Sequence, residues 1–151
     1  MKKVLSYLLI VTLLFMLSGC FNKEENNTFS NVQNNKSNEV ISSVKVIING
    51  KEYLLNLENN ETSQAFVNML PQEFNMKELN GNEKYINLDK TFPTNSSNPG
   101  RIEKGDVMLY GSDCLVIFYK SFDTSYSYTK IGHIDNLLDL GNGNISVQFK
   151  K

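Results

Sequence analysis

Apolar and polar residues alternate along most of the chain after residue 41, a pattern that predicts β-strands with one buried face. Eight segments carry this alternation or a short apolar run: 44–48, 51–57, 74–77, 84–88, 106–110, 114–119, 129–134 and 144–149. Asn49-Gly50 separates the first two, and this dipeptide favours a type I′ hairpin turn because both positions adopt positive φ angles. Segment 114–119 is apolar on both faces, which predicts a central strand.

Helical periodicity is confined to two short segments. Asn60 can cap the first, and Pro71 ends it because proline cannot continue a helix. The apolar face of this helix consists of Ala65, Phe66, Met69 and Leu70. The second helix is predicted over residues 135–140, closed by Gly141.

Turn-forming residues fill the remaining segments 89–105 and 121–127, which are predicted to be loops. Eight antiparallel strands in a domain of this length favour a small closed β-barrel, because closure removes exposed strand edges. A two-sheet sandwich is the alternative. The predicted fold class is therefore mainly β, a closed barrel of about eight strands with one or two short helices.

The N-terminus has the three parts of a bacterial lipoprotein signal. Lys2 and Lys3 precede an apolar run over residues 4–16, which is shorter than the roughly 20 residues of a spanning helix. Leu17-Ser18-Gly19-Cys20 then matches a lipobox, with small residues before a cysteine that can be acylated. We expect residues 1–19 to be removed and Cys20 to carry the acyl chains, for example palmitate. The alternatives are an ordinary signal peptide and a buried helix that ends in a cysteine.

Two acyl chains hold a protein stably on a membrane without a spanning helix. The expected location is thus the outer face of the cytoplasmic membrane, with the membrane as a partner. Residues 20–40 are polar and contain too few large apolar side chains to offset the entropy of ordering, which predicts a flexible tether. Residues 41–151 then form one domain.

The charge of the expected mature chain argues against nucleic-acid binding. Without Lys2 and Lys3 it has 13 basic and 16 acidic residues, a formal charge of −3. Nucleic-acid binders need a stripe of lysines and arginines. No such stripe is visible, and Arg101 is the only arginine.

Several blocks of sequence, in order, resemble the bacterial cyclophilin-like domains: 80–85, 93–100, 102–111, 114–121 and 126–134. The resemblance covers about residues 43–150 and implies a cyclophilin-type β-barrel. Members of this family also occur beside flavodoxin-like domains, which implies a flavodoxin-like redox protein as one partner. True cyclophilins isomerise X-Pro bonds with the help of an arginine on a strand. Arg101 follows Pro99-Gly100 and matches no cyclophilin motif.

The single residues with reactive side chains have simple structural interpretations. Cys114 lies in an apolar run and is predicted to be a buried core thiol, with a redox thiol as the alternative. Asp106 is expected to cap a turn, and Glu83 and Lys84 to form a solvated pair. His133 is the only histidine and is expected to be structural, with an acid–base role in a pocket as the alternative. No metal site or cofactor is expected.

Aromatic residues form the most promising set for binding. Six lie close together in the sequence: Tyr110, Phe118, Tyr119, Phe122, Tyr126 and Tyr128. Phe118 and Tyr119 must point to opposite faces of their strand. Tyrosines can line a groove because each offers a flat apolar ring and a hydroxyl. The predicted ligand-binding residues are Tyr110, Tyr119, Lys120, Tyr126, Tyr128 and His133.

Three functions are consistent with the sequence. The favoured one is a non-catalytic module that binds a peptide or small ligand at the cell surface. The second is a prolyl isomerase that assists the folding of exported proteins. The third is an accessory partner of the flavodoxin-like redox protein.

We expect Cys20→Ser to abolish acylation, because the serine hydroxyl cannot replace the thiol in diacylglyceryl transfer. Metabolic labelling with an alkyne fatty acid, followed by membrane fractionation, measures this directly. A cleaved and labelled Cys20→Ser protein in the membrane fraction would show that the lipobox interpretation is wrong.

Overall fold

Eight antiparallel strands close into a barrel in the computed structural model, which describes residues 41–151. The elements in chain order are β1 (Ser43–Ile48), β2 (Lys51–Leu57), α1 (Glu61–Asn68), β3 (Gln72–Leu79), β4 (Glu83–Asn87), β5 (Arg101–Ile102), β6 (Asp106–Tyr110), β7 (Cys114–Phe118), β8 (Phe122–Asp123), β9 (Thr129–Ile134) and β10 (Ile145–Lys150). The order around the barrel is β1-β10-β3-β4-β7-β6-β9-β2.

The predicted mainly-β closed barrel is confirmed, and each of the eight predicted strands is a barrel strand. The signal peptide predicted over 1–19, Cys20 and the tether predicted over 20–40 lie outside the described residues. Within residues 41–151 no helix is long and apolar enough to cross a membrane.

Local sequence signals set the first hairpin and the helix. Asn49 and Gly50 have φ angles of 48° and 80°, as a type I′ turn requires. Asn60 caps α1, and its Oδ1 accepts a hydrogen bond from the backbone N–H of Ser63 at 2.8 Å. The ring of Phe66 in α1 packs edge-on against Phe149 of β10, with centroids 5.1 Å apart, so the helix contributes to the barrel core.

The second predicted helix, over residues 135–140, does not form, and that prediction is wrong. Asn136 has a φ of 55°, which breaks helical geometry, and Leu137 is buried in the core. Asp139 accepts a hydrogen bond from the N–H of Gly141 at 2.9 Å, a local turn contact. A six-residue helix gains too few backbone hydrogen bonds to offset its nucleation cost, so the core contact of Leu137 decides the conformation.

A small second apolar cluster covers the outer face of β6 and β7. It consists of Ile102, Met108, Val116, Phe118 and Tyr128. A two-stranded ribbon of β5 and β8 supplies Ile102 to the cluster, with Phe122 packed against it. As a result β7 is buried on both faces, which confirms it as a central strand.

This ribbon corrects the predictions that 89–105 and 121–127 are loops throughout. Each ribbon strand is only two residues long and shows no periodicity. Its pairing depends on a partner about twenty positions away, so no local pattern could reveal it.

The barrel interior holds a buried lysine, which contradicts the prediction that Glu83 and Lys84 form a solvated pair. Lys84 is fully buried, and its ammonium group donates hydrogen bonds to Glu78 and to the carbonyls of Gly141 and Gly143, at 2.6 and 2.8 Å for the two carbonyls. Burial alone would raise the pKa of Glu78. The hydrogen bonds from Lys84 and Tyr119 and the positive charge of Lys84 lower it overall.

We expect Lys84→Met to lower the free energy of unfolding by about 3 kcal/mol, because it leaves Glu78 and two glycine carbonyls without their donor. Urea unfolding of the full chain in non-ionic detergent measures the loss. Lys45→Met is the matched control. Lys45 forms an exposed ion pair with Glu52, which is expected to contribute about 1 kcal/mol or less. Equal losses in the two variants would contradict the importance of the buried lysine.

Candidate functional site

A groove with a volume of about 580 Å³ lies on the outer face of the barrel wall beside the ribbon. Its lining residues are Leu79, Asn80, Glu83, Tyr85, Asn87, Tyr110, Gly111, Asp113, Cys114, Val116, Tyr126 and Tyr128. They come from β4, from the β6–β7 hairpin, from the end of β3 and from the segment before β9.

Strand alternation explains why these side chains meet. Glu83, Tyr85 and Asn87 occupy alternate positions of β4 and therefore share its outer face, while Lys84 points into the barrel. Cys114 and Val116 share the outer face of the neighbouring strand β7 in the same way. The groove is thus the part of this outer wall that the ribbon leaves uncovered.

Three of the predicted tyrosines form one aromatic cluster in the groove. The rings of Tyr110 and Tyr126 meet at 90° with centroids 6.1 Å apart, and Tyr110 lies 5.6 Å from Tyr128. Tyr128 is buried, and its backbone exchanges two 3.0 Å hydrogen bonds with Ser97. Tyr110 and Tyr126 remain 47% and 61% exposed. The cluster therefore has a fixed base and two accessible rings.

Tyr119 and Lys120, also predicted as ligand-binding residues, do not line the groove. Tyr119 is buried in the barrel core, where its hydroxyl donates to Glu78 at 2.8 Å. Burial, the hydrogen bond to Glu78 and the charges of Glu78 and Asp139 raise the pKa of Tyr119 to about 12. Lys120 is exposed, with its ammonium nitrogen 5.5 Å from the centroid of the Tyr119 ring.

His133, the last predicted binding residue, lies on β9 outside the groove lining. Its Nδ1 is 2.9 Å from Oδ1 of the buried Asp106, directly across from it on β6. Asp106 also accepts a hydrogen bond from the N–H of Glu103 at 3.0 Å, so it caps a turn as predicted, and it pairs with Lys130. These contacts fit the structural interpretation of His133.

Glu83 is the groove residue that sequence reasoning missed as a site residue. It is buried, and burial together with the negative charge of Glu78 raises its pKa to about 6. The alternation of Glu83, Tyr85 and Asn87 along one strand was the available signal. That signal identifies a shared face without showing that the face lines a groove.

Cys114 is half-buried in the groove and lies outside the barrel core, which corrects the prediction of a core thiol. Burial, followed by the charges of Asp113 and Glu83, raises the pKa of the thiol to about 11. The thiol is therefore protonated at neutral pH, and its reactivity as a nucleophile is low.

Arg101 is held on the ribbon, away from the groove lining. Its guanidinium group forms ion pairs with Glu103 and Asp123, each at 2.9 Å. Within residues 41–151, no group of three or more His, Cys, Asp or Glu side chains is arranged to hold a metal ion.

Comparison with known proteins adds a family and one solved structure. The model of a family described as "Cyclophilin-like family" matches residues 46–150. The solution structure of the hypothetical protein AF2241 from Archaeoglobus fulgidus is similar at 19% identity and a TM-score of 0.49, over 72% of this chain and 93% of that one. No curated protein matches the sequence.

We expect Glu83→Gln to stabilise the protein at about pH 7.5, by up to about 2 kcal/mol. The folded state raises the pKa of Glu83 from 4.5 to about 6, so it binds the proton more tightly than the unfolded state does. The contribution of Glu83 to stability therefore falls as the pH rises from about 4.5 to about 6, and it stays low above that range.

Urea unfolding of wild type and Glu83→Gln at about pH 7.5 and about pH 4 tests this, and the gap should nearly vanish at the lower pH. Glu52→Gln, at an exposed site, is the control for removing one acidic charge. A gap that persists at low pH would show that the carboxylate of Glu83 is not destabilised by its surroundings.

Proposed function

The chain belongs to the cyclophilin-like family, and we propose that it is a lipid-anchored binding module that holds a peptide or small ligand in the groove of its barrel. In this proposal Cys20 carries the lipid and the groove faces the space outside the cytoplasmic membrane. The observation that carries the proposal is the convergence of Tyr110, Tyr126 and Tyr128 in one concave surface.

The exposure of two large aromatic rings in a groove supports a binding role. Apolar surface that is both exposed and concave is typical of ligand sites, because a bound ligand covers this surface and is itself largely removed from water. Val116 and Tyr128 give the groove a buried apolar floor, while Asn80 and Asn87 add hydrogen-bonding groups. This mixture of apolar floor and few polar groups suits a ligand of modest size.

The rigidity of the aromatic cluster supports the same role. Tyr128 packs edge-on against Phe118 with centroids 5.5 Å apart, and the ribbon covers that phenylalanine. Tyr110 then packs on Tyr128. A site that is already ordered loses little conformational entropy when a ligand binds, so more of the contact energy contributes to affinity.

The proposed anchor would keep the groove close to the membrane. A flexible tether of about twenty residues has a root-mean-square span of roughly 25 Å. Such a tether lets the barrel rotate freely above the bilayer, and a groove on its side wall stays accessible to ligands from the extracytoplasmic space.

Prolyl isomerisation is the alternative that the side chains favour less. An isomerase needs a donor near the prolyl nitrogen that stabilises the twisted amide more than the planar one. The only arginine in the sequence is Arg101, and the carboxylates of Glu103 and Asp123 already engage its guanidinium group.

We expect the double variant Tyr110→Ala/Tyr126→Ala to lose ligand binding while the barrel stays folded, because both rings are exposed at the groove. The probe is a panel of N-acetylated tetrapeptide amides that samples acidic, basic, polar, aliphatic, aromatic and proline side chains. Thermal shift of the full chain in non-ionic detergent measures binding, and at least one peptide class should raise the Tm of the wild type.

Leu54→Ala is the matched control, since Leu54 is an exposed apolar residue on β2 that does not line the groove. It should retain the wild-type response. A panel without effect on the wild type, or effects that survive in the double variant, would contradict binding in this groove.

A further inference from the structure

The charged residues that line the groove are all acidic. Glu83 and Asp113 contribute carboxyl groups, whereas none of the described residues that line the groove is a lysine, arginine or histidine. Lys84 points to the opposite face of β4 and is bound by Glu78. Lys77 lies across from Tyr85 on β3, outside the lining.

The carboxyl group of Glu83 lacks an opposite charge in the structure. Within residues 41–151 it forms no ion pair or side-chain hydrogen bond, although it is buried. Glu83 lies across from Phe118 on β7, and the ring of Phe118 packs on Tyr128, the buried base of the aromatic cluster. A buried acid of this kind is stabilised by a cation that enters the groove.

The tyrosine rings offer a second attraction for a cation. The face of an aromatic ring carries a negative quadrupole, and a cation within about 6 Å of the ring centroid is attracted to it. Tyr110 and Tyr126 meet at a right angle and form a corner, which suits a rounded ammonium group better than the planar guanidinium group of arginine.

We propose that the groove recognises its ligand through an alkylammonium group, which lies against the Tyr110–Tyr126 corner and is neutralised by Glu83. This inference rests on the proposed function and specifies the chemical class of the ligand. The same chemistry is available from a free organic amine and from a lysine side chain of a peptide.

Proton exchange at Glu83 gives the proposal a second signature. The charged and titratable groups on the elements around this carboxyl group are Lys77 and Glu78 of β3, Lys84 beside it on β4, Cys114 of β7 and Tyr128 before β9. Lys77 lies across from Tyr85, and Lys84 is bound by Glu78 inside the barrel. A cation favours the ionised form of Glu83, so binding should release a proton and weaken as the pH falls below about 6.

Isothermal titration of the full chain in non-ionic detergent tests the proposal with two pairs of probes. The first pair is choline and dimethylbutanol, the uncharged analogue in which carbon replaces the quaternary nitrogen. The second is the N-acetylated tripeptide amide glycyl-lysyl-glycine and the same peptide with norleucine in place of lysine. The pair with the larger difference in affinity between its charged and neutral members identifies whether a free amine or a peptide side chain is the source of the ammonium group.

We expect the charged member of at least one pair to bind roughly tenfold more tightly than its neutral partner. Glu83→Gln should remove most of this preference and its dependence on pH, while Glu52→Gln, at an exposed site, should leave both unchanged. If Glu83→Gln removes the preference for the charged probe and Glu52→Gln does not, the effect is local to the groove and does not come from the net charge of the protein.

Equal binding of charged and neutral probes, with loss of both in Tyr110→Ala/Tyr126→Ala, would overturn the ammonium inference and leave the proposed groove in place. The absence of binding by all four probes would also overturn it, and the tetrapeptide panel then decides the proposed function independently. A charge preference that survives in Glu83→Gln would contradict the role given to this carboxylate.

Discussion

Closure of the barrel is the constraint on which the rest of the structure depends. β1 pairs with β2 on one side and with the C-terminal strand β10 on the other, so the two ends of the domain complete one cylinder. Gly132 permits the close approach of β9 to β2, because a Cβ there would overlap the carbonyl oxygen of Asn56. Closure gives every strand an inside and an outside, and the period of two then assigns each side chain to one of them.

The two faces of β4 each carry a buried charged residue, and the surroundings of these two residues differ. Inside the barrel, Lys84 is neutralised by Glu78 and by two carbonyls, as a buried charge requires. On the outer face, the neighbouring residue Glu83 forms no ion pair with any of the described residues, and burial together with the negative charge of Glu78 raises its pKa. The charge of Lys84 is therefore neutralised within the protein, whereas the carboxyl group of Glu83 is available to a ligand. This contrast between neighbouring residues is the main reason for proposing a cationic ligand in the groove.

Part of the candidate site was predictable from the sequence. Tyrosines near the β6–β7 hairpin and before β9 were identified as groove residues, and Tyr110, Tyr126 and Tyr128 do line it. Tyr119 was grouped with them by proximity in sequence, although alternation made it equally able to point inward, where it meets Glu78. Glu83 was missed because the outer face of β4 forms part of a groove only when the ribbon covers the neighbouring part of the barrel wall.

The sequence by itself determined the strands, the Asn49-Gly50 turn, the Asn60 cap and the closed mainly-β architecture, because periodicity, turn chemistry and capping act over a few residues. The tertiary structure alone decided the burial of Lys84, the pairing of β5 with β8 and the irregular course of residues 135–140. Each of these depends on a partner far along the chain: the glycine carbonyls for Lys84, the opposite ribbon strand for β5, and the core around Leu137. Contacts between distant segments leave no local pattern, so they become visible only when the barrel has closed.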